Sequence, residues 1–316
     1  MEPQIKIGVS SCLLGNNVRY DGGHKLYRYL TDTLGRFVQY VPVCPEVECG
    51  LPVPRESMHL EGDPSSPRLV TSRTHLDLTG KMLRWAGRRV AELEKEGLCG
   101  FIFKSNSPSS GMERIKVHIS PGKVTKTGTG IFAKVFMDRF PLLPVEDEGR
   151  LHDPDLRENF IERVFVYKRW RELIAGRRSI GALVTFHTRH KYQVLAHSTR
   201  HYTETGRLVA HGKGMPVDDL YDEYLRLMME ALKLKATPKK NANVLMHMLG
   251  YFKDRLTSDE KQEVVENIEM YRTEFIPLIV PVTLIGHYVR KYDEPYLKEQ
   301  TYLHPHPMEL QLRNHV

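Results

Sequence analysis

Three short apolar runs, each leading into a loop that carries a cysteine or a serine, constrain the fold of this chain most. The runs and the residues that follow them are 5–9 with Cys12, 38–43 with Cys44, and 100–103 with Ser110. Short apolar runs bounded by turn residues are typical of buried β-strands. The carboxyl ends of parallel strands meet at one edge of an open sheet, where ligands bind. The pattern therefore predicts a Rossmann-like α/β domain with a parallel sheet, in which three loops meet at one site.

The character of the sequence changes at about Asp155. Beyond it, apolar residues recur at helical spacing and strand patterns are few. With 316 residues, of which 41% are hydrophobic and 27% charged, the chain can bury two cores. We predict an α/β domain over residues 1–150, a connecting helix over 151–182 and an all-α domain over 183–316. The tail from residue 292 onward contains several prolines and is predicted to be an extended arm.

Two segments of the first domain give weaker local patterns. Residues 25–34, closed by Gly35, predict the crossover helix that follows the first strand. Residues 57–76 hold no sustained period and are interpreted as a surface excursion.

The composition indicates in which compartment the protein is found and which kinds of partner it can bind. No apolar stretch is long enough to span a bilayer and no signal peptide is evident, so we expect a cytoplasmic protein without a membrane partner. Disulfides are rare in the cytoplasm, so the four cysteines should be thiols or metal ligands. The net charge of +7 permits a polyanionic partner. No protein partner is predicted.

The spacing of the loop residues bears on the kind of metal site. Cys12, Cys44 and position 110 lie far apart in sequence, unlike the close ligand pairs of a zinc ribbon. Three ligands from three separate loops suit a cluster held in a pocket at the edge of the sheet. Cys99, at a strand start, is interpreted as a small buried residue. Cys49 is either a spare thiol or a neighbour of the site.

The same loops carry groups for proton transfer and hydrogen bonding. Glu46 lies two residues beyond Cys44 and would share the pocket as a general acid or base. Ser107 offers a hydroxyl on the third loop. The backbone N–H groups from Ser109 to Gly111 could bind an oxyanion or the edge of a base.

Four separated motifs in this order resemble the thiouracil desulfidases. They are VSSCLLG at 9–15, RYDGG at 19–23, PVCPEV at 42–47 and SPSSG at 107–111. The resemblance covers roughly residues 5 to 145. Together with the helical half, the chain resembles the two-domain tRNA 4-thiouridine desulfidases, which implies tRNA carrying 4-thiouridine as partner and uridine and sulfide as products.

The resemblance also implies a cofactor and roles for single residues. In that family three cysteines hold a 4Fe–4S cluster whose fourth iron has no protein ligand. The thiocarbonyl sulfur binds that iron, and water replaces it without net redox change. By position, Cys12 and Cys44 would be cluster ligands, Glu46 the acid/base and Ser107 a catalytic hydroxyl.

Ser110 departs from the family pattern, because it stands where the third cluster cysteine is expected. A serine oxygen is a harder and less acidic ligand than a thiolate. Three explanations are open: an engineered, inactivating substitution; a natural variant that recruits Cys49 or Cys99 instead; or a chain that has lost the reaction and kept RNA binding. Ser110 is retained as a predicted cofactor-binding position.

Contacts to the substrate are predicted on both domains. The predicted substrate- or RNA-binding residues are Ser11, Lys104, Ser109, Arg114 and Lys116 near the site, and Lys239 and Lys240 at a helix start of the second domain. Two other functions compete with the tRNA desulfidase. One is a desulfidase of free thiouracil-type bases, and the other is a cluster-free protein that binds thiolated RNA.

Overall fold

The structure is a computed structural model that describes residues 5–315. The chain divides into two compact units, Met1–Asp153 and Pro154–Val316.

The first unit is built around a four-stranded parallel sheet. Its strands in chain order are β1 (Ile5–Ser10), β2 (Val38–Val43), β5 (Gly100–Phe103) and β8 (Val145–Asp147), arranged in the order β2-β1-β5-β8. Every pairing in this sheet is parallel. The helices of the unit are the short α1 (Pro45–Glu48), α2 (Thr79–Glu96) and α3 (Ile131–Arg139). The predicted Rossmann-like parallel-sheet domain is confirmed.

The core of this sheet is aromatic. Phe101 and Phe103 of β5 are fully buried and contact Phe132 and Phe136 of α3, with ring centroids 4.6 Å apart for Phe101 and Phe136. Gly8 makes room for them, since a Cβ there would lie 2.2 Å from the Phe101 ring. All four residues of β5 are buried, as expected for a strand of a parallel sheet that is covered on both faces.

A second, mixed sheet was not predicted. It comprises β3 (Met58–Glu61), β4 (Arg68–Thr71), β6 (Ile115–Ser120) and β7 (Lys123–Gly128), in the order β4-β3-β6-β7. The interpretation of residues 57–76 as a surface excursion was therefore wrong. These strands pair with partners more than 50 residues away as well as with each other, and a local pattern does not reveal such pairing.

The predicted crossover helix at 25–34 was also wrong in form. Only a π-helical turn, Tyr29–Thr33, and a 3₁₀ turn, Leu34–Arg36, are present. The backbone N–H groups of Lys25 and Tyr27 instead donate to the carbonyls of Cys12 and Leu13. This segment is thereby tied to the first loop of the site.

The second unit is all helical in its described residues, as predicted. Its α-helices are α4 (Pro154–Ala175), α5 (Ile180–His197), α6 (Thr199–Ala210), α7 (Val217–Lys233), α8 (Pro238–Leu249), α9 (Ser258–Arg272), α10 (Ile279–Lys291) and α11 (Pro295–Lys298). Side-chain caps begin several of them, among them Ser198 for α6 and Thr237 for α8. Among the described residues, none of these helices has the length and apolarity that crossing a membrane requires.

The predicted extended arm after residue 292 was wrong. Tyr302, Leu303, Leu310 and Leu312 are buried. Prolines prevent a long helix here, but they do not prevent the segment from packing.

Candidate active site

A cavity of about 400 Å³ lies at the carboxyl ends of β1, β2 and β5. Its lining residues are Ser10, Ser11, Cys12, Val18, Arg19, Tyr20, Lys25, Val43, Cys44, Pro45, Glu46, Arg55, Ser57, Met58, Lys104, Ser105, Asn106, Ser107, Pro108 and Ser110. The structure thus brings Cys12, Cys44 and Ser110, with Glu46 and Ser107, into the wall of one cavity. Parallel strands deliver their carboxyl ends to one edge, which is why three remote loops meet.

Cys12 and Cys44 are uncharged thiols in this environment. Each is buried, with 8% of its surface exposed. Burial, followed by the neighbouring Glu46 carboxylate, raises the pKa of Cys12 to about 11 and that of Cys44 to about 12. The Cys44 Sγ lies 3.5 Å from Glu46 Oε2. A bound metal would require both thiols to lose their protons, so its affinity would rise with pH.

Glu46 belongs to a series of hydrogen-bonded side chains that ends in the cavity. Its Oε1 accepts a hydrogen bond from Ser109 Oγ at 2.5 Å. Ser109 Oγ in turn lies 3.0 Å from Ser107 Oγ, and Ser107 lines the cavity. The carboxylate and the two hydroxyls form a path along which a proton can be relayed.

The third loop is held rigidly. The N–H of Gly111 donates to the Ser107 carbonyl at 2.8 Å, and the N–H groups of Phe132 and Ala133 donate to the Ser109 carbonyl. Gly130 packs directly on this loop, since a Cβ there would lie 2.6 Å from the carbonyl carbon of Ser109. The start of α3 therefore fixes the position of Ser110.

Of the residues near the site that are predicted to contact the substrate, some line the cavity and others do not. Ser11 and Lys104 line the cavity, but Ser11 Oγ accepts a hydrogen bond from Asn16 Nδ2 and the Lys104 ammonium is paired with Glu148. Ser109 is fully buried and lies outside the lining. Its hydroxyl is used by Glu46, so it supports the wall rather than facing a substrate.

The predicted RNA-binding cations lie outside the cavity lining. Arg114 and Lys116 are exposed, the latter on β6. In the second unit Lys239 is exposed, whereas the Lys240 ammonium donates to the backbone carbonyls of His197 and Lys235. Lys240 is thus engaged within its own unit, and its contact with RNA stays a prediction.

Sequence reasoning missed Arg55 and three residues near it. The Arg55 side chain is buried, donates to the Val18 carbonyl at 3.0 Å and lies 3.9 Å from Glu46 Oε2. Arg19, Tyr20 and Lys25 also line the cavity. The RYDGG motif contains Arg19 and Tyr20. Nothing in the sequence indicates that Arg55 lies close to Glu46.

The lining combines four cationic side chains with one carboxylate, namely Arg19, Lys25, Arg55 and Lys104 with Glu46. Three of these cations have a carboxylate partner: Arg19 lies 3.4 Å from Asp21, Arg55 lies 3.9 Å from Glu46, and Lys104 is paired with Glu148. Lys25 is exposed at the cavity and adds a positive charge. The aromatic ring of the lining, that of Tyr20, is 45% exposed, and the Arg19 guanidinium lies 5.4 Å from the ring centroid. A planar ligand that carries negative charge suits such a wall.

The cysteines proposed as substitutes for the third ligand are elsewhere. Cys99 precedes β5, and its N–H donates to the Lys6 carbonyl at the amino-terminal end of the sheet. The Cys49 Sγ donates to the Glu46 carbonyl at 3.2 Å, and Cys49 does not line the cavity. Neither thiol lines the cavity with Cys12 and Cys44.

The implied cluster can be tested against these donors. Within residues 5–315, no group of three or more His, Cys, Asp or Glu side chains is placed to hold a metal ion. Ser110 lines the cavity with both thiols, so the lining offers two sulfur donors and one hydroxyl oxygen to a cluster.

Comparison with known proteins divides the chain in the same way. Residues 7–148 match the sequence profile of the 2-thiouracil desulfurase family. Residues 191–307 match a profile described as a protein of unknown function, DUF1722. All the cavity-lining residues, which span positions 10–110, lie within the first match.

Similar proteins cover parts of the chain. YbgA of Escherichia coli (strain K12), an uncharacterized protein, is 36% identical over 135 residues, which cover 42% of this chain and 80% of YbgA. YbbK of Bacillus subtilis (strain 168), also uncharacterized, is 33% identical over 140 residues, covering 40% and 85%. The solved structure of the [4Fe–4S]-dependent thiouracil desulfidase TudS is 32% identical, with 48% of this chain and 95% of that chain covered and a TM-score of 0.40.

Proposed function

Because residues 7–148 of this chain belong to the 2-thiouracil desulfurase family, we propose that the chain removes the sulfur of 4-thiouridine in tRNA, giving uridine and sulfide. The observation that carries the proposal is the convergence of Cys12, Cys44 and Ser110 with Glu46 around one cavity. A pair of thiols beside a carboxylate and a hydroxyl relay supplies both a cluster site and a proton acceptor.

The reaction balances without an oxidant or a reductant. The oxygen of one water forms a bond to the ring carbon, the carbon–sulfur bond breaks, and sulfur leaves as hydrogen sulfide with the two water protons. A 4Fe–4S cluster, named for TudS, would supply a Lewis-acidic iron for the thiocarbonyl sulfur. Cys12, Cys44 and Ser110 would hold it.

The residues around the cluster site have separate tasks. Glu46 takes a proton from the attacking water, and Ser109 orients its carboxylate by the hydrogen bond to Oε1. Ser107 presents the cavity end of the relay. Arg55 places a fixed positive charge 3.9 Å from Glu46 Oε2 and helps to hold the carboxylate in position.

The exposed residues at the cavity favour a substrate that carries phosphate over a free base. Lys25 and Tyr20 are exposed at the cavity, where an aromatic ring and a cation suit a nucleotide base and its phosphate. Arg114 and Lys116 follow the third loop and add exposed positive charge. Lys239 supplies a further phosphate contact on the helical unit.

Free thiouracil is the second candidate substrate. The whole cavity lies within the 2-thiouracil desulfurase match, and TudS is named as a thiouracil desulfidase. A free base would need only the cavity and would leave the second unit without a part in the reaction.

Anaerobically reconstituted protein should be supplied in parallel with 4-thiouridine-containing tRNA and with free 4-thiouracil, and sulfide and the desulfurated product measured. We expect kcat/KM to be higher for tRNA and to fall steeply with salt, because phosphate contacts release counterions. Arg114→Glu/Lys116→Glu should lower kcat/KM for tRNA alone. Arg88→Glu/Lys95→Glu reverses two matched exposed charges of α2 and should leave it unchanged.

Each alternative gives a different result. Turnover of 4-thiouracil alone, with no effect of Arg114→Glu/Lys116→Glu, favours the free-base desulfidase. Tight binding of thiolated tRNA with neither bound iron nor sulfide release identifies a cluster-free thiolated-RNA binding protein instead.

A further inference from the structure

A second cavity, of about 320 Å³, is lined only by residues of the helical unit, between positions 155 and 315. It shares no lining residue with the candidate active site, whose lining spans positions 10–110. Its volume is near the lower end for small-molecule sites, which are about 300–1,000 Å³. Ile276 and Leu278 supply apolar surface in its wall. The cavity therefore has the size for a small organic molecule and an apolar part for its carbon atoms.

Four carboxylates line this cavity, and three of them are paired with a side chain of the same wall. The pairs are Asp155 with Lys235, Glu158 with Arg313, and Glu162 with His197. The fourth, Glu274, is exposed at the cavity, and within the described residues its carboxylate has no ion pair and no hydrogen bond. A carboxylate in this position is available to a cationic group of a ligand.

Arg313 is 5% exposed, and two of its three guanidinium nitrogens are used inside the unit. Nε donates to Glu158 Oε1 at 3.1 Å, and Nη1 donates to the Tyr302 carbonyl at 2.7 Å. Nη2 makes no hydrogen bond within the described residues. It lies on the same edge of the planar guanidinium as Nε, and that edge faces Glu158 in the cavity wall. The two bonds hold Nη2 in a fixed position, where an acceptor oxygen of a ligand can meet it.

Tyr271 offers a second donor in the same wall. Its oxygen accepts a hydrogen bond from Asn241 Nδ2 at 2.9 Å, and Asn241 Oδ1 accepts one from the Tyr302 hydroxyl at 3.0 Å. The Tyr271 proton has no acceptor among the described residues. Because a phenol hydroxyl both donates and accepts, Tyr271 can donate to a ligand while Asn241 holds its oxygen in place.

We propose that this cavity binds a small zwitterion of the amino-acid type. The ligand carboxylate accepts hydrogen bonds from Arg313 Nη2 and the Tyr271 hydroxyl, the ammonium contacts the Glu274 carboxylate, and the ligand side chain lies against Ile276 and Leu278. An anion such as phosphate would meet four carboxylates in this wall, and a simple amine would leave the two donors unused. A ligand that carries both charges uses all three groups. Binding here is independent of the desulfidase reaction and of its cluster.

The test is isothermal titration calorimetry of the full, iron-free chain with each of the common L-amino acids. n-Butylamine and butyrate, which carry one charge each, and inorganic phosphate are titrated in parallel. At least one amino acid should bind once per chain with a Kd below about 1 mM. The two singly charged molecules should bind at least about tenfold more weakly, because each loses charge-assisted hydrogen bonds.

Variants of the three contacting side chains test the assigned roles. Glu274→Gln should weaken binding of the amino acid about tenfold, whereas Glu263→Gln, a matched exposed change on α9 outside the lining, should not. Tyr271→Phe and Arg313→Met should each weaken it about tenfold or more. Arg226→Met, which removes an ion-paired arginine of α7 outside the lining, should leave it unchanged. Far-UV circular dichroism checks that each variant is folded, and if Arg313→Met is not, Glu274→Gln and Tyr271→Phe decide.

The proposal is overturned if no amino acid binds, if n-butylamine or butyrate binds as tightly as the amino acid, or if phosphate displaces it. It is also overturned if folded Glu274→Gln and Tyr271→Phe both bind the amino acid as the unchanged chain does. Because the titrations measure binding to iron-free protein, a failure of the desulfidase function would leave their outcome unaffected.

Discussion

Ser109 Oγ donates a hydrogen bond to Glu46 Oε1 at 2.5 Å, although the two residues are 63 positions apart. One follows β5 and the other follows β2, so the contact joins two strand–loop units at the same edge of the sheet. It makes the orientation of the carboxylate depend on a residue that does not itself line the cavity.

Substitutions of Glu46 and of Ser109 should therefore lower kcat to different extents. Glu46→Gln should lower kcat by about 10²- to 10⁴-fold, the usual effect of removing a general base, with bound iron unchanged. Ser109→Ala should lower kcat less, because the carboxylate remains but is no longer oriented. Steady-state sulfide release checks both, with Ser120→Ala at the exposed end of β6 as control. Unchanged turnover of Glu46→Gln would exclude the acid/base role.

The two cavity thiols should react slowly in the metal-free protein. Burial raises the pKa of Cys12 to about 11 and that of Cys44 to about 12, so each is protonated at neutral pH. Only the thiolate is nucleophilic, and labelling by iodoacetamide should rise about tenfold per pH unit from pH 8 to 10. Mass spectrometry of the labelled peptides gives the rates residue by residue. Rapid labelling at pH 7 would contradict the burial of the two thiols.

Gly130→Ala should destabilise the first unit by about 1–3 kcal/mol, the usual cost of overpacking. The new Cβ would lie 2.6 Å from the Ser109 carbonyl carbon and 2.8 Å from the Ser110 nitrogen, both of them backbone atoms. Urea unfolding can be followed by Trp85 fluorescence in a Trp170→Phe background, so that the signal comes from this unit. Gly87→Ala is the matched control, since a Cβ there meets nothing within 4 Å. It should stabilise α2 by about 0.4–1 kcal/mol, and equal effects of the two variants would refute the packing argument.

The helical unit should depend on a buried ion pair. His197 Nε2 lies 3.2 Å from Glu162 Oε2, and Nδ1 lies 2.6 Å from the Leu234 carbonyl oxygen. Both partners accept hydrogen bonds, and an imidazole that carries both ring protons donates to each of them. Burial alone would raise the pKa of Glu162, but the charge and hydrogen bond of His197 outweigh it and hold the pKa at about 2.

A depressed carboxyl pKa gives stability that is present above the unfolded value, 4.5, and lost as the pH falls towards 2. Glu162→Gln should therefore destabilise the unit at pH 7 by about 3 kcal/mol, because it leaves a buried charge unpaired. Its stability should also change less between pH 4.5 and 2 than that of the unchanged chain. Trp170 fluorescence in a Trp85→Phe background reports this unit alone, and an identical pH profile would rule out the pair as the cause.

The sequence by itself determined where the site forms. The apolar runs before Cys12, Cys44 and Ser110 indicate three strands, each followed by a loop. In a parallel sheet, the loops that follow the strands all lie at the same edge. It also determined the start of α8, because Thr237 and Pro238 satisfy a helix N-terminus through local bonds alone. These are consequences of chain order and of residues close to one another in sequence.

Only the tertiary structure decided which side chains line the site and which of them contact one another. The Ser109–Glu46 bond, the approach of Arg55 to Glu46 and the exclusion of Cys49 and Cys99 each depend on the relative placement of remote segments. The second sheet and the use of Lys240 within its own unit were hidden for the same reason. Local patterns record which face of an element is apolar, whereas the partner of a polar side chain is fixed only when the packed elements bring two distant atoms within hydrogen-bonding reach.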